Sequence, residues 1–177
     1  MFAPTFRKRY RNSKQAVALD LEEVRNTLEH ATSEKWVVLV RSHIANSRQG
    51  MNVVFSDAVI DVTSYPDMNE LLQVTDILIS DYSSSIGDFA LSGKLCLLFQ
   101  DDLEEYKSHD RNLEFELEDS PFYHFHTQAD LCQFLQNVSE IDAKANSDAI
   151  LAFYGTHESG KSSLILSEMI AHACGKG

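Results

Sequence analysis

The stretch "DILISDYSSSIGDFALSGKLCLLF", Asp76–Phe99, decides the fold. Its two ends, "DILIS" and "LCLLF", are short apolar runs of strand length. Such runs fit strands buried on both faces better than strands wetted on one. Between them stand a serine-rich turn and a helical segment, "IGDFALSG". Gly93 suits the position just past a helix C-terminus, where a left-handed backbone is needed. A strand, a helix and a second strand in this span predict one crossover of a parallel sheet.

The same alternation runs outward in both directions. "FAPTF" reads as extended. "AVALDLEEVRNTLEHA" carries Val17, Leu21, Val24 and Leu28 at helical spacing. "KWVVLVR" is a buried strand rich in β-branched residues, and "AVIDVT" is another. "DMNELLQV" is a short helix with Asp67 as its N-cap. Downstream, "DDLEEYKSH" reads as a helix, "NLEFELE" and "FYHFH" as extended, and "TQADLCQFLQNV" as a helix capped by Thr127. From about Ser139 the chain reads as mostly helical. The fold class is therefore α/β, a Rossmann-like parallel sheet flanked by helices.

The chain has 177 residues and a net charge of −12, and is read as one domain spanning 1–177. That charge argues against broad binding to nucleic acid. No window reaches the roughly 20 apolar residues of a membrane span, and no signal peptide is evident. Cys96, Cys132 and Cys174 are far apart and read as inert thiols in a reducing cytoplasm. His124 and His126 share one face of a strand without a nearby third ligand, so no metal site is assigned. The basic residues Arg7, Lys8, Arg9, Arg11 and Lys14 all precede the first acid. They read as a solvated segment or, alternatively, as a well for an anionic substrate or lipid head group.

"GTHESGKSS", Gly155–Ser163, fits the phosphate-loop pattern at each fixed position. A phosphate loop follows an early strand, however, and the magnesium-binding Asp comes later in the chain. No Asp follows Ser162. The stretch is read as a turn leading into a C-terminal helix capped by Ser162 or Ser159.

Ligands of an open parallel sheet bind beyond the carboxyl ends of its strands. Two such ends carry chemistry. "VVLVRSH" ends at Arg41, Ser42 and His43. "DILISDYSSS" ends at Ser80 and Asp81, followed by Ser83, Ser84 and Ser85. Three hydroxyls at the start of a helix suit a phosphate or diphosphate; the alternative is N-capping, with "SIGD" as a capping box. His43 has the chemistry of a general acid or base. Arg111 has the forked guanidinium that binds phosphate oxygens, or pairs with a surface carboxylate.

Taken together, "APTFR", "RSH", "VIDVTSYPDMNELLQVTDILISDYSSSIGDFAL", "FQDDLEEYKSHDR" and "SGKSS" resemble the CDP-glycerol glycerophosphotransferase family of teichoic acid and capsule polymer synthesis. The resemblance covers most of the chain in the expected order, and the D-Y-S-S block is its most specific piece. It implies a GT-B-like architecture in which this chain is the C-terminal, donor-binding half, without the N-terminal acceptor half. It implies CDP-glycerol or a related CDP-alditol as donor, and a polymer or lipid-linked acceptor. His43 and Arg111 match catalytic positions. Ser80, Asp81, Ser83, Ser84, Arg41, Thr5 and Arg7 match donor-site positions, with Thr5 and Arg7 at the mouth of the cleft. No cofactor and no metal are implied.

The sequence departs from the family pattern at Ile44, Gly87, Leu95 and Asn112. The implied location is cytoplasmic, with peripheral association at the inner face of the membrane through the intact protein. The isolated chain is expected to bind donor without turnover. Two alternatives stay open: a non-catalytic nucleotide-binding or scaffolding module, and a GT-B transferase that uses another nucleotide sugar.

Overall fold

The computed structural model describes residues 1–5, 7, 17–42, 51–109 and 117–175. Its strands are β1 (Val38–Val40), β2 (Val59–Asp61), β3 (Ile77–Ser80), β4 (Leu95–Phe99) and β5 (Tyr123–Phe125). β1 pairs with β2, β3 with β4 and β4 with β5, all in parallel. Phe2 joins the two groups, because it bridges in parallel to both Val40 and Ile79. Its amide donates to the carbonyl of Leu39, and that of Ala3 donates to the carbonyl of Ile79. The spatial order is thus β2, β1, the segment around Phe2, β3, β4, β5. With that segment counted as the first strand, this is the doubly wound order 3-2-1-4-5-6.

The expected parallel α/β fold is the one observed, and the reason lies in the period-2 alternation of the central strands. Ile77, Ile79, Leu95, Leu97 and Phe99 face one apolar cluster, with Val24 and Leu28 of α1 (Leu21–Thr32) and Leu131 and Leu135 of α5 (Gln128–Leu135). Leu78, Cys96 and Leu98 face the other cluster. That one holds Leu72 of α2 (Met68–Val74), Ile86 and Phe89 of α3 (Ser85–Ala90), and Ile150 of α6 (Ala143–Phe153). Leu78, Phe89, Cys96, Leu97, Leu131, Leu135 and Ile150 have no exposed surface.

Local chemistry sets the helix ends. α1 starts at Leu21, later than its apolar spacing suggests, because the Asp20 carboxylate accepts from the amides of Glu22 and Glu23. Asp67 and Thr127 cap α2 and α5 as expected. Gly93 takes a φ of +71°, and a Cβ there would lie 2.9 Å from Lys144 Cδ. Gly93 thus turns the chain from α3 into β4 where other residues would be strained. α4 spans Leu103–His109. "NLEFELE" differs from its extended reading: Leu117–Asp119 is a 3-10 turn, and the rest lies outside the described residues.

The C-terminal loop does not follow a strand. "ILAFY" continues α6, and α7 (Ser162–Ala173) begins with Lys161 as the flanking residue, without a side-chain cap. Instead of a serine cap, the Glu158 carboxylate accepts from the Gly160 amide at 2.5 Å and the Ser162 hydroxyl at 2.6 Å. Among the described residues, no helix is long and apolar enough to cross a membrane.

Candidate functional site

In the doubly wound order, the strand sequence reverses between the Phe2 segment and β3. A crevice opens at that switch point, beyond the carboxyl ends of the strands. The residues leaving these ends are Ala3, Pro4 and Thr5 on one side and Ser80 and Asp81 on the other. Arg41 and Ser42 leave β1 next to them.

Beneath the crevice lies a buried ionic cluster. Arg7 is 4% exposed. Its Nη2 donates to Asp81 Oδ2 at 2.8 Å, and its Nε donates to Asp102 Oδ2 at 2.9 Å. Its Nη1 donates to the carbonyl of Thr5 at 2.8 Å. The guanidinium carbon lies 4.8 Å from the ring centroid of Tyr82 and 4.7 Å from that of Tyr106. These rings stack on each other at 3.7 Å, and such placement adds cation–π attraction. Burial disfavours the charge on Arg7, but the bonds and ion pairs with Asp102 and Asp81 outweigh it and raise its pKa. Burial, and then the charge of Asp102, raise that of the Tyr82 phenol.

Asp81 gathers the switch point. Its carboxylate accepts from the Thr5 amide at 2.8 and 2.9 Å, from the Thr5 hydroxyl at 2.6 Å, and from the Tyr82 amide at 2.6 Å. One carboxylate therefore ties the loop after β3 to the chain leaving the Phe2 segment. Ser80 is fully buried, and its hydroxyl donates to the carbonyl of Ala3 at 2.7 Å. Arg7, the residue expected at the cleft mouth, is buried against Asp81 and Asp102. The donors of Arg7 and Ser80 are directed at the protein itself.

Adjoining this cluster through Thr5 is a cavity of about 280 Å³, lined by Ala3, Pro4, Thr5, Arg41, Ser42, Met68, Ser83 and Ser85. It unites four residues expected from sequence: Thr5, Arg41, Ser83 and Ser85. Arg41 Nη1 donates to the carbonyls of Tyr65, at 2.7 Å, and Val62, at 3.3 Å. Among the described residues, no carboxylate pairs with Arg41 and no acid lines the cavity. In a chain of net charge −12 that is a local reversal of sign.

Ser83 and Ser85 share a hydroxyl–hydroxyl bond of 2.9 Å, and the Ser83 hydroxyl accepts from the Ser85 amide at 3.3 Å. The capping box expected at Ser85 is not formed. α3 begins one residue earlier than that reading needs, and Ser84, its flanking residue, makes no side-chain cap. Ser84 is exposed and does not line the cavity. His43 and Arg111 lie outside the described residues.

Ser85, read in the sequence as one of three phosphate-binding hydroxyls, lines the cavity with Ser83. Sequence reasoning passed over two participants. Ser42 was read only as a strand-end residue between Arg41 and His43. Asp102, the second partner of Arg7, carried no pattern beyond "QDD". Elsewhere, the Nδ1 atoms of His124 and His126 meet the backbone carbonyls of Phe122 and Gln100, at 3.2 and 2.9 Å.

Comparison with known proteins follows the same path. The sequence model of the CDP-Glycerol:Poly(glycerophosphate) glycerophosphotransferase family matches residues 1–171. The chain is 28% identical over 145 residues to the teichoic acid poly(glycerol phosphate) polymerase of Bacillus subtilis (strain 168). That match covers 81% of the chain and 19% of the polymerase. It is 30% identical over 176 residues to the teichoic acid ribitol-phosphate primase of Bacillus spizizenii, covering 97% of the chain and 43% of the primase.

Among solved structures, the wall teichoic acid polymerase TagF superposes with a TM-score of 0.72 at 25% identity. The superposition covers 97% of this chain and 43% of that one. A TagF variant soaked with CDPG gives a TM-score of 0.69 at 27% identity, covering 97% and 42%. The chain spans less than half the length of these relatives.

Proposed function

The chain belongs to the CDP-glycerol:poly(glycerophosphate) glycerophosphotransferase family, and from that premise we propose that residues 1–177 form the donor-binding domain of such a transferase. The domain takes CDP-glycerol or a related CDP-alditol. The observation that carries this reading is the cavity at the switch point, lined by hydroxyls and Arg41 and, among the described residues, by no acid. A diphosphate needs a positive, donor-rich seat, and this cavity supplies one where doubly wound sheets bind nucleotides.

In the intact enzyme an acceptor hydroxyl attacks the β-phosphorus of the donor. The new P–O bond forms as the bond to the bridging oxygen breaks, and CMP leaves with that oxygen. Thr5, Arg41 and Ser83, which line the cavity, stabilise phosphate charge, and Asp81, Ser80 and Arg7 hold the loops that present them. A phosphate contact from Ser84, which lies outside the cavity lining, rests on family resemblance alone. His43 exchanges a proton at the reacting phosphate, and Arg111 adds positive charge. These two roles rest on family resemblance. The acceptor is a polymer or lipid-linked alditol phosphate, reached at the inner face of the membrane through the intact protein.

Calorimetric titration tests the reading. CDP-glycerol, CDP-ribitol, CMP, UDP-glucose and ATP are titrated into the chain and into Arg41→Ala. Selective binding of a cytidine diphosphate ligand that Arg41→Ala weakens supports a donor site. Preference for UDP-glucose points to another nucleotide-sugar transferase. Absence of binding by every cytidine ligand removes the donor-site reading.

A further inference from the structure

Ser42 follows β1 and is 5% exposed. Its amide donates to the Thr63 hydroxyl at 3.0 Å. Its own hydroxyl oxygen is buried and has no hydrogen-bond partner among the described residues. Polar side-chain atoms are seldom left in that state, because an unmade hydrogen bond costs stability. Two other buried side-chain atoms share it, Gln100 Oε1 and Asn146 Oδ1. Both are carbonyl oxygens, which only accept. Ser42 alone of the three is able to donate. It also lines the cavity in which Arg41 is the only charged lining residue among the described residues.

The missing partner is therefore an acceptor, and the surroundings favour a negative one. We propose that Ser42 is a ligand-binding residue whose hydroxyl donates to a phosphate oxygen held between Arg41 and the Ser83–Ser85 pair. The identity of the anion as the diphosphate of a nucleotide donor rests on the donor-site reading; the seat for a phosphate does not.

The test is calorimetric titration of the full chain and of Ser42→Ala with inorganic pyrophosphate and, separately, with CDP-glycerol, alongside thermal melts without ligand. Removing an unpaired hydroxyl leaves the ligand-free melting temperature unchanged or higher. Affinity for both probes then falls about tenfold, the loss expected for one hydrogen bond to a charged group. Equal affinities in the two proteins overturn the inference. So does a variant that melts lower while binding as tightly, since the hydroxyl would then serve the fold. Pyrophosphate binding that depends on Ser42, with no binding of CDP-glycerol, keeps the inference and overturns the donor reading. Binding of neither probe by the unaltered chain overturns both.

Discussion

Arg7 and Arg41 stand at the same end of the same sheet, yet the fold treats them in opposite ways. Arg7 is buried against two carboxylates, a backbone carbonyl and two aromatic rings. Among the described residues, Arg41 has only backbone carbonyls for partners and faces a cavity without acids. Ser80 and Ser42 repeat the contrast: one hydroxyl is bonded to Ala3, and the other is buried and unpaired among the described residues. A polar group satisfied inside the protein fixes a shape, whereas one left unsatisfied at a cavity wall is available to a ligand. The lower layer therefore holds the switch point, and the upper layer is the proposed seat of an anion.

The largest effect that separates the layers is on Arg7. Arg7→Ala strands Asp81 and Asp102 in the interior, and breaking a buried ion pair from one side costs about 3–5 kcal/mol. Denaturant unfolding measures it. A loss under about 1 kcal/mol would mean that the lower layer does not hold the fold. Arg7→Lys does not restore stability, because an ammonium does not reproduce the forked bonds to both carboxylates.

Thr5 belongs to both layers, since its hydroxyl donates to Asp81 while its side chain lines the cavity. Thr5→Val keeps the shape and removes the donor. The expected loss is about 1.5–3 kcal/mol of stability, the range for a hydrogen bond to a charged group. If the same variant loses ligand affinity at unchanged stability, Thr5 belongs to the upper layer alone.

Arg41→Ala reverses the pattern of Arg7→Ala. The carbonyls of Val62 and Tyr65 are rehydrated, so stability falls by less than about 1 kcal/mol. Affinity for a diphosphate falls by about tenfold to a hundredfold, because the cavity loses the only charge that the described residues give it. A large stability loss with intact binding would assign Arg41 to the lower layer and erase the contrast.

How much of this was legible in the sequence follows the same division. The apolar alternation of "DILIS" and "LCLLF" is dictated by burial on both faces, so the parallel sheet and its crossover could be read directly. Caps such as Asp67 and Thr127 are local chemistry and were equally readable. The strand order was not, because it depends on Phe2 bridging β1 and β3 across 77 residues of sequence. Nor was the difference between Arg7 and Arg41, which lies in their partners. Asp102 meets Arg7 only because the end of β4 passes the end of β3, a long-range fact. At Gly87 the sequence lacks the large aromatic seen in the family pattern, and the structure shows why that space is not empty. The Tyr154 ring, arriving from the end of α6, lies 3.4 Å from where a Cβ would be.

Salt separates the two layers with a smaller signal and no mutation. The Debye length shrinks from about 30 Å at 0.01 M to about 3 Å at 1 M ionic strength, and buried pairs feel this far less than charges in contact with solvent. Arg41 is only partly buried and acts on a ligand that leaves water to reach it. Raising sodium chloride from about 0.05 to about 0.5 M should therefore weaken diphosphate binding, on the order of threefold to tenfold. The Arg7 cluster is almost dry, at 5% side-chain exposure for Arg7 and 3% for Asp81. Its contribution, measured as the stability difference between the unaltered chain and Arg7→Ala, should stay constant over the same range. Titration at the two salt concentrations, paired with unfolding curves at each, checks both halves. A cluster contribution that falls with salt in step with the affinity would mean that water reaches Arg7, and that the two arginines differ in degree rather than in kind.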